Sequence, residues 1–173
     1  MSKILLHACC APCTTFTNKW LTLHGFEVSG FFYNPNIRPP EEYDKRLKTM
    51  EQYAAAVGLK VLYEPNDVQT EMDNCENCCR VRLRKTAQLA KELGCDFFST
   101  TLLISPYQDH ELLKTVGEQV SAELGVAFFY HDFREGFRES QQVARELKLY
   151  RQKYCGCGAD LLTREEKAYA QAG

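Results

Sequence analysis

Three thiols in five positions, Cys9, Cys10 and Cys13 of the stretch Leu5–Cys13 (LLHACCAPC), are the densest chemistry in this 173-residue chain. Sulfur attacks and binds metals as the thiolate, which the unpaired amides and dipole of a helix N-terminus stabilise. A buried strand with incidental cysteines would explain one such residue; three together point to a metal or redox centre. Further along, Cys75-Glu76-Asn77-Cys78 is a CxxC whose two thiols can turn onto one metal, and Cys79 follows at once. Cys155-Gly156-Cys157 is a second close pair. The glycine there lets both sulfurs face one centre or join in a strained, reducible disulfide. Cys95, alone in LGCDF, reads as core filling. Cys79 reads as non-ligating, because on a helix it points away from Cys78. The candidates are then Cys9, Cys10, Cys13, Cys75, Cys78, Cys155 and Cys157. A structural zinc takes four ligands and an iron–sulfur cluster four thiolates, so this surplus favours chemistry over scaffolding.

Cations gather beside both later motifs. Arg80, Arg82, Arg84 and Lys85 lie next to the CxxC, and Arg134, Arg138, Arg145, Lys148, Arg151 and Lys153 precede Cys155. Either these are solvated helix faces or they bind phosphates near the thiols, as RNA binding requires. Tyr33, Tyr107 and Tyr154 are equally base-stacking rings or core. His7 reads as a satisfied core histidine and His131 as a weak metal candidate; His110 begins a helix and His24 ends one.

The thiols need elements to position them. Lys3–Ala8 reads as a strand, Pro12 as its break, and a helix is expected from Thr14 or Thr15 to His24 with Gly25 as its stop. A second strand over Phe26–Tyr33 ends in the turn-rich NPNIRPP. An amphipathic helix spans Glu41–Val57, and a third strand spans Lys60–Glu64. Pro65–Asn77 is a polar loop, and a helix resumes from Cys78 or Cys79 to Leu93. A fourth strand at Asp96–Leu103, a helix at His110–Leu124 and a fifth strand at Val126–Tyr130 follow. The remainder is helical and basic from Arg134, with a short charged helix at Thr163–Ala170. This alternation predicts an α/β fold: one parallel sheet of five strands with right-handed crossovers, in the order 3-2-1-4-5. The loops Cys9–Cys13 and Leu103–Gln108 then face each other at the switch point, where such sheets bind ligands.

Length allows one domain, residues 1–173, with a C-terminal helical extension (about 134–173) carrying Cys155-Gly156-Cys157. Hydrophobic residues make up 45% and charged residues 25%, with a net charge of −2, so RNA binding would need a local basic patch. The N-terminus does not read as a signal peptide, and no stretch approaches the roughly 20 apolar residues that cross a bilayer. Nine cysteines without an export signal imply a reducing, cytoplasmic setting and no membrane partner.

In their order, HACCAPC, YNPNIRPPEEY, CxxCxxxRL (Cys75 to Leu83), TTLLISP (Thr100 to Pro106) and YRQKYCGC (Tyr150 to Cys157) resemble the cobalamin-independent epoxyqueuosine reductase family of the QueH type. The likeness spans about residues 3–157. It implies reduction of epoxyqueuosine to queuosine at the tRNA anticodon wobble position, the last step of that modification. It also implies a 4Fe-4S cluster, an additional mononuclear iron, and a Rossmann-like fold related to adenine-nucleotide hydrolases. By resemblance the cluster thiols are drawn from Cys9, Cys10, Cys75 and Cys78, while Cys155 and Cys157 match the family's CGC. Cys13 falls where some relatives carry Asp and is assigned to the second iron. Cys79 stands where an aromatic residue is more usual, and Gly158-Ala159-Asp160 where the family is more apolar.

Removing an epoxide oxygen to leave an alkene takes two electrons and two protons, which no side chain supplies at the required potential. The implied cluster delivers electrons singly from an external donor, and the second iron acts as a Lewis acid on the epoxide oxygen. Cys155 and Cys157 relay electrons or protons or close over the site. Asp109 and Tyr107 are the expected proton donors, and Arg80, Arg82 and Arg84 the expected tRNA phosphate contacts. Two other readings stand beside this one. An ATP-dependent tRNA-thiolating enzyme would carry a glycine-rich phosphate loop after the first strand, where HACCAPC has no glycine. A zinc-binding interaction module would show no turnover.

Overall fold

The computed structural model describes residues 1–64 and 74–156. Cys157 and the Thr163–Ala170 helix expectation lie outside the described residues. Five parallel strands, β1 (Ser2–His7), β2 (Phe26–Phe32), β3 (Val61–Tyr63), β4 (Phe97–Thr100) and β5 (Ala127–Phe128), form one sheet in the order β3-β2-β1-β4-β5. Among the described residues five helices accompany them: α1 (Ala11–Leu23), α2 (Pro40–Val57), α3 (Cys75–Glu92), α4 (His110–Leu124) and α5 (Phe137–Glu146). Strand alternation divides the central strand between two buried layers. Ile4 and Leu6 pack with Leu21 of α1, whereas Leu5 packs with Leu83 and Ala87 of α3 and Val116 of α4. A third apolar cluster joins Phe32 to Met50 and Tyr53 of α2 and to Ala144 of α5.

Several boundaries differ from the sequence expectation. α1 begins at Ala11, not Thr14, because Pro12 sits in the first turn, where its missing N–H costs nothing. α3 begins at Cys75, not Cys78, because the Asn74 side chain accepts from the Asn77 amide at 2.9 Å and caps it. β4 stops at Thr100, whose hydroxyl accepts the Leu102 amide at 3.1 Å and turns Thr101–Ile104 into a 3-10 segment. α5 ends at Glu146, so residues 147–156 run without helix into Cys155. Among the described residues, no helix is long and apolar enough to cross a membrane.

Candidate metal centre

β1 ends at His7, and the next residues turn straight into α1. Cys10 is the N-cap of α1 and Cys13 lies in its first turn, with the Cys10 sulfur accepting the Cys13 amide at 3.4 Å. The turn is pinned from both sides. Thr101 Oγ1 accepts from the Cys9 amide at 3.0 Å and donates to the Cys9 sulfur at 3.1 Å. Asn34 donates to the Ala8 carbonyl at 3.0 Å. His7 is fully buried; its Nε2 donates to the Tyr33 carbonyl at 2.9 Å, which leaves Nδ1 to accept from Thr100 Oγ1 at 3.0 Å. Burial, then the nearby Arg82 charge, push the His7 pKa down to about 4, so the ring is neutral at pH 7.

The outcome is a convergent triad. The sulfurs of Cys9, Cys10 and Cys13 all lie within 4.8 Å of one another, half-buried or buried. Burial alone would raise the Cys10 pKa, but donation from Cys13, Cys9, Gln152 and the Cys13 amide outweighs it and holds Cys10 well below the ordinary thiol range. Cys9 is pushed up to about 12, first because its proton is shared with Cys10, and Cys13 is raised for the same reason. Three thiolates this close need a cation among them, and a bound metal deprotonates its thiols outright. The donor set suits a thiophilic metal such as iron or zinc.

The other predicted residues fall around this triad. Cys75 and Cys78 occupy the first turn of α3, exposed and half-buried, and neither joins the convergent set. Asn36 donates to the Cys78 sulfur at 3.4 Å. Cys79 is buried, and burial, then the Cys78 charge, push its thiol up to about 12, which makes it a neutral packing group. Cys95 is half-buried against the α3–α4 core. Cys155 is exposed, with Gln108 of the loop after β4 at 4.0 Å from its sulfur.

Arg82 departs from the expected phosphate contact: it is 6% exposed, and its guanidinium turns inward to the Cys78 sulfur and Asn36. Arg80 reaches Glu76 and Gln119, and Arg84 pairs with Glu123 across to α4. Asp109 caps α4 by accepting the Leu112 amide at 3.0 Å. Tyr107 stands 87% exposed beside Gln108. Tyr33 is core, stacked on Phe31 at 5.7 Å, and not a base platform. His24 and His131 stack on Trp20 at 3.6 and 4.2 Å, and neither belongs to the thiol group. Thr101, Asn36, Gln152 and Arg46 are residues that sequence reasoning misses; the first two sit in the TTLLISP and YNPN motifs but carry no charge or thiol to draw notice.

The sequence profile of the epoxyqueuosine reductase QueH family matches residues 4–160. The chain is similar to the epoxyqueuosine reductase QueH of Dehalococcoides mccartyi, 39% identical over 164 residues and covering 90% of each protein. It is likewise similar to the epoxyqueuosine reductase QueH of Thermotoga maritima, 36% identical over 185 residues, covering 96% of this chain and 94% of the relative. Among solved structures, the U34-tRNA thiolase NcsA from Methanococcus maripaludis with its 4Fe-4S cluster superposes at a TM-score of 0.60 and 16% identity, covering 88% of this chain and 58% of that one. At that identity the likeness is one of fold. With the profile running nearly end to end and relatives matched over almost their whole length, this chain belongs to the epoxyqueuosine reductase QueH family.

Proposed function

We propose that this protein reduces epoxyqueuosine to queuosine at the wobble position of a tRNA anticodon, the last step of queuosine biosynthesis. The observation that carries the reading is the convergence of Cys9, Cys10 and Cys13 within 4.8 Å at the carboxyl end of the central strand, in a chain of the QueH family. The reaction breaks both C–O bonds of the epoxide, releases the oxygen as water, and consumes two electrons and two protons. When bound, a 4Fe-4S cluster supplies the electrons one at a time, and an additional mononuclear iron supplies Lewis acidity.

Cys9 and Cys10, with Cys75 and Cys78 from the start of α3, would hold the cluster, and Cys13 would hold the second iron. Arg82 orients Cys78 and balances thiolate charge. Cys155 and Cys157 relay reducing equivalents from an external donor or close the site. Tyr107, exposed on the loop after β4, or Asp109, with one carboxylate oxygen engaged as the cap of α4, donates a proton. Arg38, Lys45 and Arg151 face the tRNA phosphates, while Arg80 and Arg84, opposed by Glu76 and Glu123, contribute less. Residues 1–173 act as one domain, working in a reducing cytoplasm that keeps its thiols free.

Single Cys→Ser replacement at 9, 10, 75 or 78, in protein prepared without air, is expected to abolish the brown iron–sulfur absorbance. An unchanged spectrum removes that residue from the ligand set. Zinc without iron or sulfide in the wild type would replace the enzyme with a binding module.

A further inference from the structure

The segment Leu147–Gly156 has no regular secondary structure, yet it touches the loops after three strands. Gln152 donates to Cys10 after β1, the Gly156 carbonyl accepts from the Arg38 amide after β2 at 2.8 Å, and Gln108 after β4 reaches Cys155. The segment is thus a strap across the carboxyl end of the sheet, where the thiol triad lies.

What holds the strap is a buried charge. Arg46 of α2 has a side chain only 3% exposed, and Nε donates to Glu42 Oε1 at 2.9 Å. Its two remaining nitrogens donate to consecutive strap carbonyls, Nη2 to Tyr154 at 2.8 Å and Nη1 to Cys155 at 3.0 Å. The second carboxylate oxygen of Glu42 accepts from Tyr150 Oη at 2.7 Å, so both members of the pair return to the strap. The Tyr154 ring covers the guanidinium at 5.3 Å. Gly156 follows with φ +125°, and a Cβ there would stand 2.9 Å from Arg46 Nη1. That position requires glycine both for its backbone and for the closeness of the clasp. Buried ion pairs contribute little net stability, whereas a planar guanidinium fixes geometry well. An arginine dividing its donors among one carboxylate and two adjacent carbonyls holds the backbone on either side of the Cys155 peptide.

We propose that Arg46, with Glu42 and Tyr150, positions the Cys155 strap over the Cys9–Cys10–Cys13 triad and is a positioning residue for the reaction. The inference rests on the proposed role of Cys155. It is tested with Arg46→Gln, Arg46→Lys and Tyr150→Phe in anaerobically prepared, iron-loaded protein. Trypsin cuts after Arg151 and Lys153, both exposed on the strap. Cleavage there should accelerate about tenfold in Arg46→Gln, since proteolysis follows the open population. On tRNA bearing epoxyqueuosine, kcat should fall about a hundredfold, the scale of an ångström-size misplacement, with KM and the iron–sulfur absorbance unchanged. Arg46→Lys, which keeps the charge but cannot reach all three acceptors, should recover only part of that loss.

Tyr150→Phe leaves Arg46 in place and should move both readouts in the same direction by less; it decides the matter alone if Arg46→Gln does not fold. Unchanged strap cleavage in every variant overturns the clasp. Faster cleavage with unchanged kcat overturns the positioning role, and so does loss of the iron–sulfur absorbance, which would make these residues supports of the centre itself. Wild-type protein without reductase activity would sink the proposed function and the catalytic meaning of the clasp, while the cleavage rates would still show whether Arg46 holds the strap.

Discussion

One hydroxyl fixes Cys9. Thr101 accepts its amide at 3.0 Å and donates to its sulfur at 3.1 Å, tying the turn after β1 to the 3-10 segment after β4. Thr101→Val keeps the shape but strands a buried N–H, which should cost about 1–3 kcal/mol in urea denaturation. Thr101→Ser should restore most of it, and equal losses in both variants would show that the methyl group rather than the hydroxyl matters. At this scale the triad is legible because its members are neighbours in sequence, and Cys10 needs only a helix start to become a cap. Arg82 departs from expectation although the sequence holds the clue. Residues two apart on a helix do not share a face. Arg80 and Arg84 lie four apart and both reach outward, whereas Arg82 between them is turned to the core. Arg46 carries no such signal, since its partners at Tyr154 and Cys155 are over a hundred positions away.

Elements with strong end signals are legible in the sequence, and those ended by unusual residues are not. α4 runs from His110 to Leu124 as expected, with Asp109 as its cap and left-handed Gly125 as its stop. α5 is expected to continue toward Cys155 because nothing after Glu146 looks like a stop. The structure ends it with a six-residue closing turn in which the Leu149 amide reaches the Ala144 carbonyl at 2.8 Å and the Lys148 amide reaches Arg145 at 3.0 Å. Lys148 occupies the left-handed position, φ 54°, that glycine usually fills. A lysine side chain there is strained, so Lys148→Gly should stabilise the protein by about 0.5–1 kcal/mol, net of the extra freedom glycine gives the unfolded chain. Thermal unfolding checks it; a drop in midpoint would mean that the lysine side chain holds the turn through its own interactions. The strap depends on this turn, because its direction away from α5 is set there.

Across the whole molecule, charge decides where an RNA can lie. The net charge is −2, so attraction must be local. On α3, Arg80 and Arg84 face Glu76 and Glu123 and are partly neutralised. Arg151 on the strap and Arg38 and Lys45 beside it are exposed, and among the described residues none has a carboxylate within ion-pair distance. Lys45 lies over the Tyr150 ring at 5.5 Å, and the Arg38 amide holds Gly156, which keeps these cations next to Cys155. A tRNA backbone along this edge would bring an unstacked base to the mouth where Cys9, Cys10 and Cys13 converge. Every cation that neutralises a phosphate of a single-stranded loop steepens the fall of log K with log salt by about 0.7. Replacing Arg38, Lys45 and Arg151 together by Ala should therefore flatten that slope by about 2, whereas Arg84→Ala should change it by less than about 0.7, because Glu123 already opposes that charge. Filter binding of tRNA over a salt series reads both. A larger change in Arg84→Ala than in the triple variant would move the RNA onto α3 and leave the strap as a cover for the thiols alone.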